Sequence, residues 1–312
     1  MIPQVIHYCW FGRNPLPESA QKCIASWRKF FPDYEIWQWS EGELEASSNL
    51  NINLLGCSST TPPAPEHQLE RKKARMQSRR NVNSLSPTLP LREGEKNGRE
   101  KNLYDKLMGF DVNSIPYTQE AYEAKKYAFV SDYARFWILY KYGGLYFDTD
   151  VEVIKPMDDI IERGPFMGVE VPSKQNQLPK VAPGLGLGVI PEHSLYKDLL
   201  NKYATLKFRN ADGSLNQKTI VAYNTEVLEK HGLKPVSGIQ EVAGVWIYPA
   251  DYFNPLDSLT GKLKLTANTR SIHWYMNSWS DSSAFRQWLS RMSHRLFGMR
   301  LHQLKEKFQT HK

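Results

Sequence analysis

Four ionisable side chains stand out by type and spacing between Ser131 and Val153: Asp132 and Arg135, three residues apart, and Asp148 and Asp150, two apart. Two carboxylates at i and i+2 at the end of a strand can reach one hard cation together, because Mg²⁺ and Mn²⁺ favour oxygen ligands. A cation held that way acts as a Lewis acid on a departing diphosphate, the step a nucleotide sugar requires when it gives up its sugar. Asp132 and Arg135 project from neighbouring points of a helix surface. Each pair also has a plainer reading. Asp-x-Asp occurs in polar turns after strands, and an Asp–Arg pair three apart is an ordinary surface ion pair. The cation reading is favoured by the company the residues keep, a helix, a glycine break and a strand in one stretch.

Those elements follow from the pattern. Phe129, Val130, Tyr133, Ala134, Trp137 and Ile138 recur at three- and four-residue intervals, which predicts one helix from Gln119 to Tyr142 with a buried stripe. Gly143 and Gly144 end it, since glycine accepts the left-handed conformation of a helix terminus. Leu145, Phe147, Val151, Val153 and Ile154, bounded by Pro156, predict a short buried strand that runs out at Asp148 and Asp150. At the start, Val5, Ile6, Tyr8 and Trp10 read as a strand. Gly12, Pro15 and Pro17 then force a loop before a helix from about Glu18 to Phe31. Such a loop lies at the carboxyl edge of an α/β sheet, where nucleotides bind. Trp10 on its own is better read as a core residue, and His7 as a structural one. The alternating Gly184, Gly186 and Gly188 are wrongly spaced for a dinucleotide fingerprint. They read either as a cleft lining that substrate can approach or as a tight strand under a helix. Pro191 to Tyr203 predicts a helix.

SDYARFWILYKYGGLYFDTDVEVIKPMDD, with the opening IPQVIHYCWFGRNPLPESAQKCIASWRKFFPDYEIWQW, resembles the family-32 glycosyltransferases. These include bacterial capsular polysaccharide transferases and fungal Golgi mannosyltransferases, and they are distantly similar to the sugar-transferring domain of the large clostridial toxins. The resemblance spans roughly residues 1–40 and 110–280. It implies an α/β fold of the GT-A type, a single domain with a mixed central sheet flanked by helices. It also implies Mn²⁺ or Mg²⁺, a UDP- or GDP-sugar donor, and transfer of a hexose with retention of configuration. By the same resemblance Trp10 stacks on the nucleobase, Asp132 and Arg135 contact donor sugar and phosphate, and Tyr146 lines the donor pocket. Asp148 touches ribose and metal, Asp150 grips the metal, and His273 is a third metal ligand. Asn277, Ser278 and Trp279 close over the diphosphate. The chemistry suits these tasks: imidazole can join a manganese site, and amide, hydroxyl and indole N–H groups can bond phosphate oxygens. Read alone, Ser271 to Trp279 is better taken as an aromatic strand with a satisfied core histidine.

With 312 residues, 41% hydrophobic and 12% aromatic, the chain can bury a large core. No stretch approaches a transmembrane span, the first residues lack a basic leader, and Cys9, Cys23 and Cys57 have no metal spacing. A cytoplasmic protein of the bacterial branch is expected. The net charge of +7 gathers in residues 283–312, where seven Lys and Arg face only Glu306. Phe285, Trp288, Leu289, Met292 and Leu296 recur there at helical spacing. This predicts a basic amphipathic helix, either touching the membrane surface peripherally or closing the domain. No nucleic-acid motif accompanies the charge. Residues 41–107, poor in aromatics and rich in Ser, Pro and charge, read as a disordered insertion between the two parts of the domain, 1–40 and 108–282. The expected function is hexose transfer to a capsular or lipopolysaccharide glycan or its lipid-linked precursor. The alternatives are transfer to a protein, or an inactive nucleotide-sugar-binding protein disrupted by the insertion.

Overall fold

The computed structural model of the protein describes residues 1–42 and 103–276. Asn277, Ser278, Trp279, the 283–312 tail and most of the expected insertion lie outside the described residues. In chain order the elements are β1 (Val5–Cys9), α1 (Glu18–Phe30), β2 (Glu35–Glu41), β3 (Lys106–Phe110), α2 (Pro116–Glu123) and α3 (Tyr127–Tyr142). There follow β4 (Gly144–Tyr146), β5 (Val151–Val153), α4 (Asp158–Arg163), β6 (Phe166–Val171), β7 (Lys180–Val189) and α5 (Ser194–Ala204). The last are α6 (Ile220–Lys230), β8 (Gln240–Val242), β9 (Val245–Tyr248), α7 (Ala250–Phe253) and β10 (Ser271–His273).

Eight strands form one mixed sheet in the order β3-β2-β1-β4-β7-β6-β9-β8, and β10 pairs with β5 in a separate two-stranded ribbon. The run β3-β2-β1-β4 is parallel, and β7 lies antiparallel to both β4 and β6. This is the expected mixed sheet flanked by helices. Alternation along the strands sends side chains to opposite faces. Tyr146 packs with α3, α5 and α6 on one face. Leu145 and Phe147 pack with α1 and β5 on the other. Among the described residues, no helix is long and apolar enough to cross a membrane.

Three sequence expectations are corrected. The helix predicted from Gln119 is two helices, because Lys125 takes a left-handed conformation (φ 56°) between α2 and α3. The single strand predicted from Leu145 to Ile154 is β4 and β5 in different sheets, with both aspartates in the turn between them. The proposed insertion boundaries cut into the sheet. Glu41 pairs with Phe110, and Lys106 and Leu107 pair with Trp37 and Gln38. Asp105 accepts the Ile36 N–H at 2.8 Å. The glycine break stands as predicted: Gly143 and Gly144 both have positive φ, and the Gly143 N–H closes α3 on the Leu139 carbonyl.

Candidate active site

The site forms at the carboxyl edge of the parallel strands, where β1 ends beside β4. Parallel pairing sets His7 opposite Tyr146, so the turn after β4 and the loop after β1 leave the same edge. Arg135, buried on α3, is the hub. Its Nη2 donates to Asp132 Oδ1 at 3.1 Å, and its Nη1 lies 3.1 and 3.2 Å from the two oxygens of Asp148. Its Nε donates to the Ser131 carbonyl at 3.1 Å, and the guanidinium stands 4.9 Å from the centre of the Tyr146 ring. The Tyr146 hydroxyl donates to Asp148 Oδ1 at 3.2 Å. A buried guanidinium persists only if its charge is balanced, and here two carboxylates balance it. Burial opposes the Arg135 charge, but Asp148, Tyr146 and Asp132 outweigh it and hold its pKa above the ordinary value. Burial pushes the Asp132 carboxyl up to about 7, against the pull of Arg135 and with a further push from Asp148.

Asp150 is held by a different segment. The ribbon registers His273 opposite Val151, bringing His273 Nε2 to 3.1 Å from Asp150 Oδ1. The Met276 N–H donates to Asp150 Oδ2 at 3.0 Å, and the Trp274 N–H to the Asp150 carbonyl at 2.9 Å. Burial alone would raise the Asp150 carboxyl, yet His273 and the Met276 N–H hold it below its usual value. Burial likewise opposes the His273 charge, and Asp150 reverses this, leaving the imidazole pKa raised. Tyr275, left-handed at φ 52°, turns the chain at this point. Its ring sits 4.2 Å from that of His273, and its hydroxyl joins Glu170 and Asn254.

One ligand atom each from Asp148, Asp150 and His273 lie within 4.8 Å of one another. Two carboxylates and an imidazole at that spread fit a divalent cation whose ligands stand about 2 Å away. These three residues would hold it, and when bound it would supply Lewis acidity to a diphosphate.

The structure thus brings together Asp132, Arg135, Tyr146, Asp148, Asp150 and His273. Trp10, half-buried, follows β1 at the same edge and donates its Nε1–H to the Asn14 carbonyl at 2.6 Å. His7 is structural, its ring nitrogens bonded to the Gly143 carbonyl and the Trp39 indole N–H.

Sequence reasoning missed Glu41 and left the role of Gly184 open between two readings. Glu41, assigned there to the insertion, accepts the Gly12 N–H on both oxygens and the Tyr122 hydroxyl at 3.0 Å, and it pairs with Arg13. It thereby pins the loop after Trp10. Gly184 sits where β7 bulges: Gly168 pairs with Ala182 but Met167 with Leu187. Its carbonyl accepts the Asp148 N–H, and a Cβ there would stand 2.0 Å from Asp148 Oδ2. Of the two readings of the glycine run, the cleft reading fits Gly184. The tight-strand reading fits Gly188, which lies against Phe166.

Residues 17–167 match the family described as "Glycosyltransferase sugar-binding region containing DXD motif". A curated relative, inositol phosphoceramide mannosyltransferase 1 of Schizosaccharomyces pombe (strain 972 / ATCC 24843), is 32% identical over 169 residues, 53% of this chain. The aligned part is 33% of that protein, so the chain spans about a third of the relative's length. Two solved structures are similar in part. The PaToxG glycosyltransferase has a TM-score of 0.41 at 15% identity, over 73% of this chain and 69% of that one. The galactosyltransferase LgtC, in complex with donor and acceptor sugar analogs, has a TM-score of 0.36 at 12% identity, over 93% and 95%. The matched segment 17–167 contains a single Asp-x-Asp, Asp148–Asp150, and what it is similar to is the DXD-containing sugar-binding region of glycosyltransferases.

Proposed function

We propose that the protein is a metal-dependent, retaining glycosyltransferase that moves a hexose from a nucleotide sugar to a glycan or lipid-linked acceptor at the inner face of the membrane, in surface-polysaccharide assembly. The observation that carries this reading is the convergence of Asp148, Asp150 and His273 beside the Asp132–Arg135 pair. In the reaction the bond from the anomeric carbon to the diphosphate oxygen breaks. A bond to the acceptor oxygen forms on the same face, and the acceptor proton leaves with the phosphate. Arg135, fixed by Asp132 and Asp148, offers positive charge to the departing phosphate without reorganising. Asp132, one oxygen of which accepts from Arg135, offers its other oxygen as a hydrogen-bond acceptor to the sugar hydroxyls. The similarity to a mannosyltransferase makes a nucleotide-activated mannose the first donor to try.

The test is a panel of UDP- and GDP-sugars incubated with the protein and Mn²⁺, scoring free nucleotide, with Asp150→Ala in parallel. Release from one donor that vanishes with the variant or with chelator supports the reading. Release that survives both, or folded protein that releases nucleotide from no donor even with a lipid extract as acceptor, counts against it.

A further inference from the structure

We propose that the hairpin from Pro255 to Leu265 is a contact element for an anionic lipid surface. Its backbone is fixed. Leu256 bridges Leu263 in antiparallel fashion, the Lys264 N–H donates to the Pro255 carbonyl at 3.0 Å, and the Asp257 N–H to the Lys262 carbonyl at 3.0 Å. The turn closes with the Gly261 N–H on the Asp257 carbonyl, while Asp257 Oδ1 accepts the N–H groups of Leu259 and Thr260.

This ordered hairpin sends one leucine inward and three outward. Leu256 is buried, whereas Leu259, Leu263 and Leu265 are 49%, 43% and 54% exposed. Among the described residues, they are three of the eight large apolar side chains left in solvent, so the exposure is clustered rather than scattered. Lys262 and Lys264 alternate with Leu263 and Leu265, and among the described residues neither is in an ion pair.

That chemistry selects the partner. Three part-exposed leucines fall far short of the roughly 800 Å² per side that a stable protein interface buries. A bilayer makes no such demand, since it closes around a protruding turn. The leucines enter the acyl boundary, and the lysine stems lie along it with their ammonium groups among acidic headgroups.

Both ends of the hairpin lead to the active site. Asn254, just before it, donates to the Tyr275 hydroxyl at 2.7 Å. Just after it, Thr266 donates to Asp251, and the chain reaches His273 within seven residues. Docking would therefore bring a membrane surface to the His273 side of the cleft. That use, presentation of a lipid-linked acceptor, rests on the proposed function; the contact itself does not.

The test is co-sedimentation of the full chain with vesicles of phosphatidylcholine alone or mixed with phosphatidylglycerol. Two variants are compared, Leu259→Ser/Leu263→Ser/Leu265→Ser and Lys262→Glu/Lys264→Glu. The expected result is binding only to the acidic vesicles, weakened at least about tenfold by either variant, with donor hydrolysis in vesicle-free buffer unchanged. Failure of the parent chain to bind, or unchanged binding by the triple variant, overturns the proposal, the latter placing attachment elsewhere in the chain. A triple variant that loses only self-association in light scattering overturns it in favour of a second copy. Vesicle binding by a chain that hydrolyses no donor leaves the contact standing and sinks the glycosyltransferase reading instead.

Discussion

Asp148 is fully engaged before any substrate arrives, its oxygens shared between Arg135 and the Tyr146 hydroxyl and its N–H given to the Gly184 carbonyl. The space it occupies exists because Gly184 has no side chain. Gly184→Ala is therefore expected to cost about 1–3 kcal/mol, as overpacking does. Most of the cost should disappear in an Asp148→Ala background, where the opposing carboxylate is gone and Arg135 Nη1, 3.3 Å from the added Cβ, is the remaining close neighbour. Denaturant melts of the four proteins in that cycle give the coupling directly; equal costs in both backgrounds would refute the contact. Glu41 makes a separate prediction. Glu41→Ala should raise the KM for donor roughly tenfold, the worth of a lost pair of hydrogen bonds, with little change in kcat. Glu41→Gln keeps acceptors for Gly12 and Tyr122 and should restore most of the affinity. A fall in kcat alone would assign Glu41 elsewhere.

Asp132, Arg135, Asp148 and Asp150 were legible in the sequence because one helix, one break and one turn hold them within nineteen residues. His273 needed the family resemblance, since its approach to Asp150 depends on a ribbon no local pattern announces. Glu41 was not legible at all, and Gly184 only as one of two readings of a glycine run. Their roles arise from contacts across the sheet, and a glycine in a strand or a glutamate at its end carries no periodicity that distinguishes it.

At the scale of elements, the parallel pairing of β2 and β3 sets a requirement on the chain between them. Parallel neighbours cannot be joined by a tight turn, and the return crossover takes about a dozen residues or more. Deleting residues 43–107 would remove Lys106 and Leu107 from the ladder and leave too little chain to make the crossing. We expect that deletion to lose cooperative melting. Removing 46–101 and inserting about twelve Gly and Ser residues should keep both the melt and any donor hydrolysis. If the longer deletion melts like the parent, β3 does not need its first two residues. The strand–loop–helix start and the helix end at Gly143 were legible because glycine, proline and apolar spacing punctuate them. The separation of β4 from β5 was not: a run of β-prone residues does not say where a chain changes sheets.

Over the whole molecule, His7 ties β1 to β2 and to the end of α3 from a fully buried site. Burial lowers its pKa to about 3, with the Gly143 carbonyl opposing weakly. The folded state therefore binds the proton less readily than the unfolded chain, whose histidine titrates near 6.5. The stability this group contributes is present above about 6.5 and is lost as pH falls towards 3, by up to about 1.4 kcal/mol per unit. Urea melts from pH 7 to pH 4 should show that slope for the parent chain, reduced by one proton in His7→Gln. An unchanged slope would assign the acid sensitivity to other groups.

The cation cluster also has a place in time. Met276, which closes on Asp150, lies 126 residues beyond it. At about 5–20 residues per second, a ribosome exposes Asp148 and Asp150 roughly 6–25 s before the strand that supplies His273 has been made. Throughout that interval the nascent chain can assemble α3 on its parallel strands and still have no complete place for the ion. This candidate cation site is thus among the last parts of the described chain to come into being, and a product cut short before β10 would be born without it.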